Sequence, residues 1–284
     1  LPEAYLHGFL DMLRSGEHHR AFLMGEIRAG GWWSFFPITF ALKTPIPMLL
    51  FVAAALLLSL GPAGWRRVDA YLLFPVVIYA GMAAAHGLSI GHRHLLPIDP
   101  FLFVAAGRLA AWPLARPAPR LVAAVAAAAA GLVALGTIRN HPDHLAYFNR
   151  FAGGPEGGYR YLVDSNLDWG QDLKGLAAWL AAHPGPRPKI SYFGAADPAY
   201  YGIDADFLPS EMRPMPERVV GTVRRGDRLA ISVTNLQALY LPDDARPLMT
   251  ILRTRRPVAA IGHSIFVYDA DFDWPPPPGS ATPR

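Results

Sequence analysis

Three short stretches hold the side chains with chemistry to offer. The first is Arg28–Pro47, RAGGWWSFFPITFALKTPIP. Lys43 lies there inside an apolar run, between two proline-containing breaks. An ammonium in that setting either snorkels to an interface or meets an anion, such as the phosphate of a lipid or polyprenyl carrier. Trp32, Trp33, Phe35 and Phe36 precede the run. Such rings anchor proteins at membrane–water interfaces. The second stretch is Gly91–Pro100, GHRHLLPIDP. Arg93 offers a planar fork suited to phosphate, and His92 and His94 can assist or titrate. The same trio also reads as a plain interfacial basic cluster, with Asp99 as a partner for Arg93. The third is Tyr161–Asp172, YLVDSNLDWGQD, with acids at 164, 168 and 172. Its D-x-N-x-D start resembles a calcium loop, but Trp169 stands where Gly is needed and Gly175 where Glu is needed. A specific EF-hand is thereby excluded. A non-standard metal site, a carboxylate pair for glycosidic chemistry, and turn or N-cap work by Asn166 or Asp168 stay open. No nucleotide-loop, nucleophile-elbow or zinc-protease motif occurs.

The elements that must position these residues follow from composition. The 284 residues are 52% hydrophobic and 17% charged, with a net charge of +4 and no cysteine. Mean hydropathy is +0.20. Disorder, a disulfide scaffold and any Cys-ligated metal are excluded. Charge is unevenly spread: between Thr44 and Gly107 only Arg66, Arg67, Asp69, Arg93 and Asp99 carry it, and Leu121–Ile138 carries none. A spanning helix needs about 20 mostly apolar residues. Four candidates result, at about 38–60, 70–88, 95–114 and 121–138. Arg66/Arg67 and Arg116/Arg120 mark the cytoplasmic side. Residues 1–37, the loop at 88–94 and the chain from 139 onward then lie outside. The basic excess is therefore topology signal or domain surface, and nucleic acid is not expected as a partner. Residues 1–20 lack the pattern of a signal peptide.

Residues 139–272 read as a separate external α/β domain. Gln171–His183 has apolar residues at helical spacing. Lys189–Phe193, Arg228–Thr234 and Ser264–Tyr268 are short, β-branched and aromatic, as strands are. Residues 273–284, proline-rich, read as a disordered tail. The expected fold class is thus a membrane α-helical protein of about four spans, followed by a small external α/β domain.

Five strings carry a family resemblance: Leu23–Pro47, Gly91–Leu102, His144–Leu180, Tyr192–Ile203 and Ile261–Asp269. They resemble the C-terminal half of bacterial family 39 glycosyltransferases, relatives of the dolichyl-phosphate-mannose protein mannosyltransferases. The resemblance covers most of residues 5–269, and its longest string, His144–Leu180, is the most specific. It implies a GT-C architecture in the bacterial inner membrane, multi-pass, with the C-terminal domain on the periplasmic side. It implies transfer of a sugar from a polyprenyl-phosphate carrier to a protein or lipid acceptor at the outer membrane face. It also implies a catalytic acid in an external loop upstream of this chain, so the chain alone is expected to be inactive. Glu26 is the one acid offered here for the base role, without a motif behind it.

Under that reading Lys43, Arg93, His92 and His94 bind the carrier phosphate, and Trp32 and Trp33 shape the sugar or carrier groove. Asp164, Asn166, Asp168, Trp169 and Gln171 receive the acceptor or hold structure. Neither a cofactor nor a metal is indicated. Two other classes compete: a non-catalytic membrane scaffold with an external domain, and a lipid-carrier transporter. A transporter calls for inverted halves with broken helices, and no internal symmetry is visible.

Overall fold

The computed structural model describes residues 2–8, 10, 19–59, 67–85, 89–107, 109, 119–210 and 219–276. Its contacts divide the chain into two compact units. Unit 1 is Leu1–Ala21 with Arg28–Gly157, and unit 2 is Phe22–Ile27 with Gly158–Arg284. The expected boundary at 139 thus differs from the observed division at Gly157/Gly158. A two-stranded hairpin, β1 (Arg20–Leu23) and β2 (Glu26–Ala29), turns at Met24 and Gly25. Both turn residues have positive φ, at 52° and 92°, the geometry whose twist suits a two-residue hairpin.

Unit 1 is helical, and here the four-span expectation fails. The first expected span is two helices, α1 (Phe35–Lys43) and α2 (Ile46–Ser59). Thr44 is extended, with ψ 136°, because the ring of Pro45 disfavours helix in the residue before it. The 14 residues of α2 rise about 21 Å, short of a hydrocarbon core of about 30 Å. The second expected span is α3 (Arg67–Ala85), whose apolar part is Ala70–Ala85. The third is not one helix: a 3-10 stretch at His92–Ile98 gives way to the nine-residue α4, Asp99–Gly107. Among the described residues one helix is long and apolar enough to cross a membrane, Arg120–Arg139 within α5 (Pro119–Arg139). Its Ala- and Leu-rich sequence has high helix propensity, and Leu121, Leu132 and Ile138 are exposed on it. Arg66, Arg116 and residues 277–284 of the expected tail lie outside the described residues.

Unit 2 is built on a five-stranded mixed sheet in the order β4-β3-β5-β7-β6. The strands are β3 (Lys189–Ser191), β4 (Asp206–Phe207), β5 (Arg228–Ser232), β6 (Ala259–Ile261) and β7 (Ile265–Asp269). β3 runs parallel to both β4 and β5, and β7 runs antiparallel to β5 and β6. The three strands expected from sequence are β3, β5 and β7. Helix α6 (Leu173–Ala182) stops at His183, ahead of Pro184. It packs Leu173 and Leu176 against Ile190, Ala230, Ile265 and Val267 of the sheet. Each such buried aliphatic side chain contributes about 2 kcal/mol. Helix α7 (Arg246–Arg253) carries Pro247 in its first turn and buries Leu248, Met249, Ile251 and Leu252, so proline starts the helix where its missing donor costs nothing. The chain runs from β3 to β4 on one side, then crosses to β5 on the other. The carboxyl ends of β3 and β5 therefore form a topological switch point, where open α/β sheets leave a crevice.

Candidate functional site

Two polar clusters stand out, one in each unit. In unit 1, Lys43 ends α1. Its Nζ donates to the Leu145 carbonyl at 2.8 Å and lies 4.3 Å from the centre of the Phe148 ring. Neither of these two contacts carries a formal charge, and burial lowers the Lys43 amine to about 7. The end of α1 is itself fixed by Asn149, which is 4% exposed. Its Nδ2 donates to the carbonyls of Ala41 at 2.6 Å and Thr44 at 2.9 Å, and its backbone N–H to Leu42 at 2.9 Å. These carbonyls have no partner inside the helix, so Asn149 acts as a C-terminal cap supplied from 105 or more residues away.

The 3-10 stretch brings the second basic group to α1. The His92 ring lies 6.2 Å from Phe40 and the His94 ring 6.5 Å from Phe36, both phenylalanines on α1. Lys43 and His92 are electrostatic neighbours. Lys43 and the trio His92, Arg93 and His94 thus lie on two adjoining elements. Trp32 is tied down: its N–H donates to Ser89 Oγ at 3.2 Å, and the Arg28 guanidinium lies 5.4 Å from its ring. Trp33 is 76% exposed. A cleft of about 280 Å³ is lined by Pro45, Pro47, Leu132, Val133, Gly136, Thr137, Asn140, His144 and Tyr147. His144 and His141 bring ring nitrogens within 3.4 Å of each other. Sequence reading missed Asn149, Phe148, His144 and Tyr147, which lie about 100 residues from Lys43. Only the density of aromatic and polar residues in HLAYFN marked them.

In unit 2, the three aspartates of the third stretch have three settings. Asp164 has φ +56°, a region aspartate tolerates because its short side chain bonds locally. Its Oδ1 accepts from the Ser165 N–H at 2.6 Å and its Oδ2 from the Tyr240 hydroxyl at 2.5 Å. Asp168 is wholly buried. It accepts from the Gly170 N–H at 3.0 Å and the Thr234 hydroxyl at 3.2 Å. Thr234 Oγ1 also accepts from the Asp164 N–H at 3.1 Å, so one hydroxyl joins two aspartates. Burial pushes the Asp168 carboxyl up to about 7. The Gly170 and Thr234 donors oppose that rise, and the charge of Asp172 adds to it. Asp172 accepts from Ser264 Oγ at 2.5 Å and Gln171 Nε2 at 3.2 Å.

Helix α6 begins after Asp172, whose side chain makes no cap bond. The expected N-cap work of Asn166 or Asp168 is therefore absent from this helix, and Asp168 serves the turn at Gly170 instead. Asn166 is buried, donating to the Val163 carbonyl at 3.3 Å. Gln171 accepts from the Trp169 N–H at 2.8 Å and donates to the Leu167 carbonyl at 3.1 Å. Gly170, at φ +73°, has no room for a Cβ, which would collide with the Tyr192 hydroxyl. That hydroxyl donates to the Gly170 carbonyl at 2.8 Å. Glu26 is exposed on β2, and its part of the hairpin belongs to unit 2. Comparison with protein-family models, curated proteins and solved structures finds no match to this chain.

Proposed function

We propose that this chain is part of a glycosyltransferase that draws its sugar from a polyprenyl-phosphate carrier, with unit 1 holding the carrier. The observation that carries the reading is Lys43, held by Leu145 and Phe148, whose chain neighbours His144 and Tyr147 line a cleft together with Pro45. The apolar lining from Pro45, Pro47, Leu132 and Val133 suits an isoprenoid chain, and Lys43 and Arg93 suit its phosphate. Helix α5 supplies Leu132 and Val133 to the cleft and is long and apolar enough to lie in a bilayer. The five resembling strings point the same way.

In this reading the acceptor's nucleophilic oxygen attacks the anomeric carbon from the face opposite the carrier. The bond from that carbon to the phosphate oxygen breaks, and the carrier phosphate leaves with the electron pair. Lys43 and Arg93 offset the charge that develops on the leaving oxygen, the kind of electrostatic help that acts most in the transition state. His92 and His94 flank them, and Trp32 and Trp33 border the sugar. The acceptor is a protein or a lipid, and its proton goes to a carboxylate base. No carboxylate in this chain is given that role, since Glu26 is solvent-facing with no described group orienting it.

The test is binding of a polyprenyl phosphate to the full chain in lipid nanodiscs, set against the uncharged polyprenol. The reading predicts at least about tenfold preference for the phosphate, worth about 1.4 kcal/mol. Equal binding of the two contradicts it.

A further inference from the structure

We propose that His141 and His144, just past the end of helix α5, form a binding site for an exchangeable divalent transition metal, with zinc as the ion that fits it best. The site does not depend on the carrier reading of unit 1.

The argument starts from two facing nitrogens. His141 Nδ1 and His144 Nε2 stand 3.4 Å apart. The ring centres are 5.5 Å apart, with 51° between the planes, so the rings meet through these nitrogens and do not stack. Hydrogen bonds from an N–H ordinarily span about 2.7–3.2 Å, and the pair is wide for one. Two imidazole nitrogens on one tetrahedral zinc, each at about 2.0–2.1 Å from it, stand roughly 3.3–3.4 Å apart. Neighbouring nitrogens on a square-planar copper are closer, at about 2.8 Å. The observed spacing is that of two ligands on one tetrahedral ion.

The backbone holds both rings in place. The His141 N–H donates to the Ile138 carbonyl of α5 at 3.2 Å, and the His144 N–H to the Pro142 carbonyl at 2.9 Å. His144 opens a 3-10 turn, His144–Ala146, and its neighbour Leu145 is tied to Lys43. Little ordering is left for the metal to impose, which favours binding. Both rings are exposed, so an ion reaches them from solvent. His141 Nε2 and His144 Nδ1 have no bond among the described residues. They can carry the ring protons, which leaves the two facing nitrogens as lone-pair donors.

The donor set selects the ion. Imidazole suits zinc, copper and nickel, whereas magnesium and calcium take oxygen ligands. Among the described residues no group of three or more His, Cys, Asp or Glu lies together, so the protein supplies two nitrogens and oxygen fills the other positions. His144 lines the unit 1 cleft with Asn140 and Tyr147. The Asn140 side-chain oxygen and the Tyr147 hydroxyl have no bond among the described residues. With water, these are the oxygen groups that the cleft offers. A site with two protein ligands and open positions exchanges its ion, unlike a closed four-ligand zinc site.

The experiment is calorimetric titration of zinc into the metal-free full chain in phosphatidylcholine nanodiscs, beside His141→Gln, His144→Gln and the double variant. One zinc should bind with a Kd on the order of ten micromolar, and magnesium should not bind. Each single variant should weaken zinc at least about tenfold, and the double variant should lose no more than either, because one ring alone is no longer a pair. X-ray absorption at one equivalent of zinc should count two imidazoles at about 2.0 Å. Zinc should raise the Tm of the unaltered chain and not that of the variants. The proposal is overturned if no zinc binds below millimolar concentration, which leaves a hydrogen-bonded histidine pair. It is also overturned if either single variant binds zinc as the unaltered chain does, or if the absorption spectrum counts one imidazole or more than two.

Discussion

Lys43 and Asp168 are both charged-type side chains drawn into the protein, and each unit treats its own differently. In unit 1, a carbonyl and a ring face hold Lys43, and burial lowers its amine to about 7. In unit 2, one amide, one hydroxyl and complete burial hold Asp168, and its charge is suppressed toward neutrality at pH 7. The lesson is that burial of a titratable group is not by itself a sign of chemistry. The amine, whose neighbours Pro45, His144 and Tyr147 line a cleft, is the one proposed to meet an anion. The wholly buried carboxyl is placed to shape the loop that carries Trp169.

The sharpest break of that comparison is Asp168→Ala. It leaves the Gly170 N–H and the Thr234 hydroxyl without their buried acceptor, which costs about 3 kcal/mol. Denaturant unfolding should show it as a lower midpoint. A loss under about 0.5 kcal/mol would mean the carboxyl is not the loop's anchor.

The pH dependence of unit 2 follows from the same group. Its folded pKa of about 7 lies above its ordinary value of 3.8. Between these values the folded state binds more protons than the unfolded, so Asp168 lowers stability as pH rises through that window. Its stabilising contribution is complete below about pH 4 and is lost, by a few kcal/mol, on passing pH 7. Asp168→Asn should flatten that part of the stability–pH curve. An unchanged slope would contradict the assignment.

Unit 1 has its own anchor in Asn149. Asn149→Ala removes both side-chain bonds to the end of α1 and should cost about 2 kcal/mol. It should also weaken carrier binding. If carrier affinity survives, the position of Lys43 does not depend on the cap. The smallest effect is expected at Arg187→Ala in unit 2. Its Asp204 bridge is 2.7 Å long, but the side chains are 52% and 83% exposed. Such surface pairs contribute less than about 1 kcal/mol, and neither ligand should notice the change.

What the sequence revealed divides along local and distant causes. KISYF, RLAISVT and SIFVY read as strands because β-branched and aromatic density is a local property, and β3, β5 and β7 are there. β4 and β6, two and three residues long, are too short to leave a pattern. The hairpin at Met24–Gly25 uses a non-glycine at positive φ, which the usual turn signals do not show. Of the four expected spans, the first and third failed because apolar content was counted across prolines. Pro45 separates α1 from α2, and the helix of α4 begins only at Asp99, after Pro97. Lys43 and Arg93 were legible as basic side chains beside apolar runs. Asn149 was not, since its value comes from a fold that carries it to the end of α1. The spacing of Asp164, Asp168 and Asp172 suggested a shared task, yet their partners Tyr240, Thr234 and Ser264 lie 66 to 92 residues away. Those distant partners decide that each does something different.

The central claim is that carrier phosphate belongs to unit 1 and not to unit 2. Its most direct test is the polyprenyl-phosphate affinity of the Lys43→Ala/Arg93→Ala double variant beside that of Trp169→Ala, both in the full chain. The account predicts a loss of about a hundredfold in the first, roughly 3 kcal/mol for two phosphate contacts, and no change in the second. Unaltered affinity in the double variant, or an equal loss in Trp169→Ala, would contradict it.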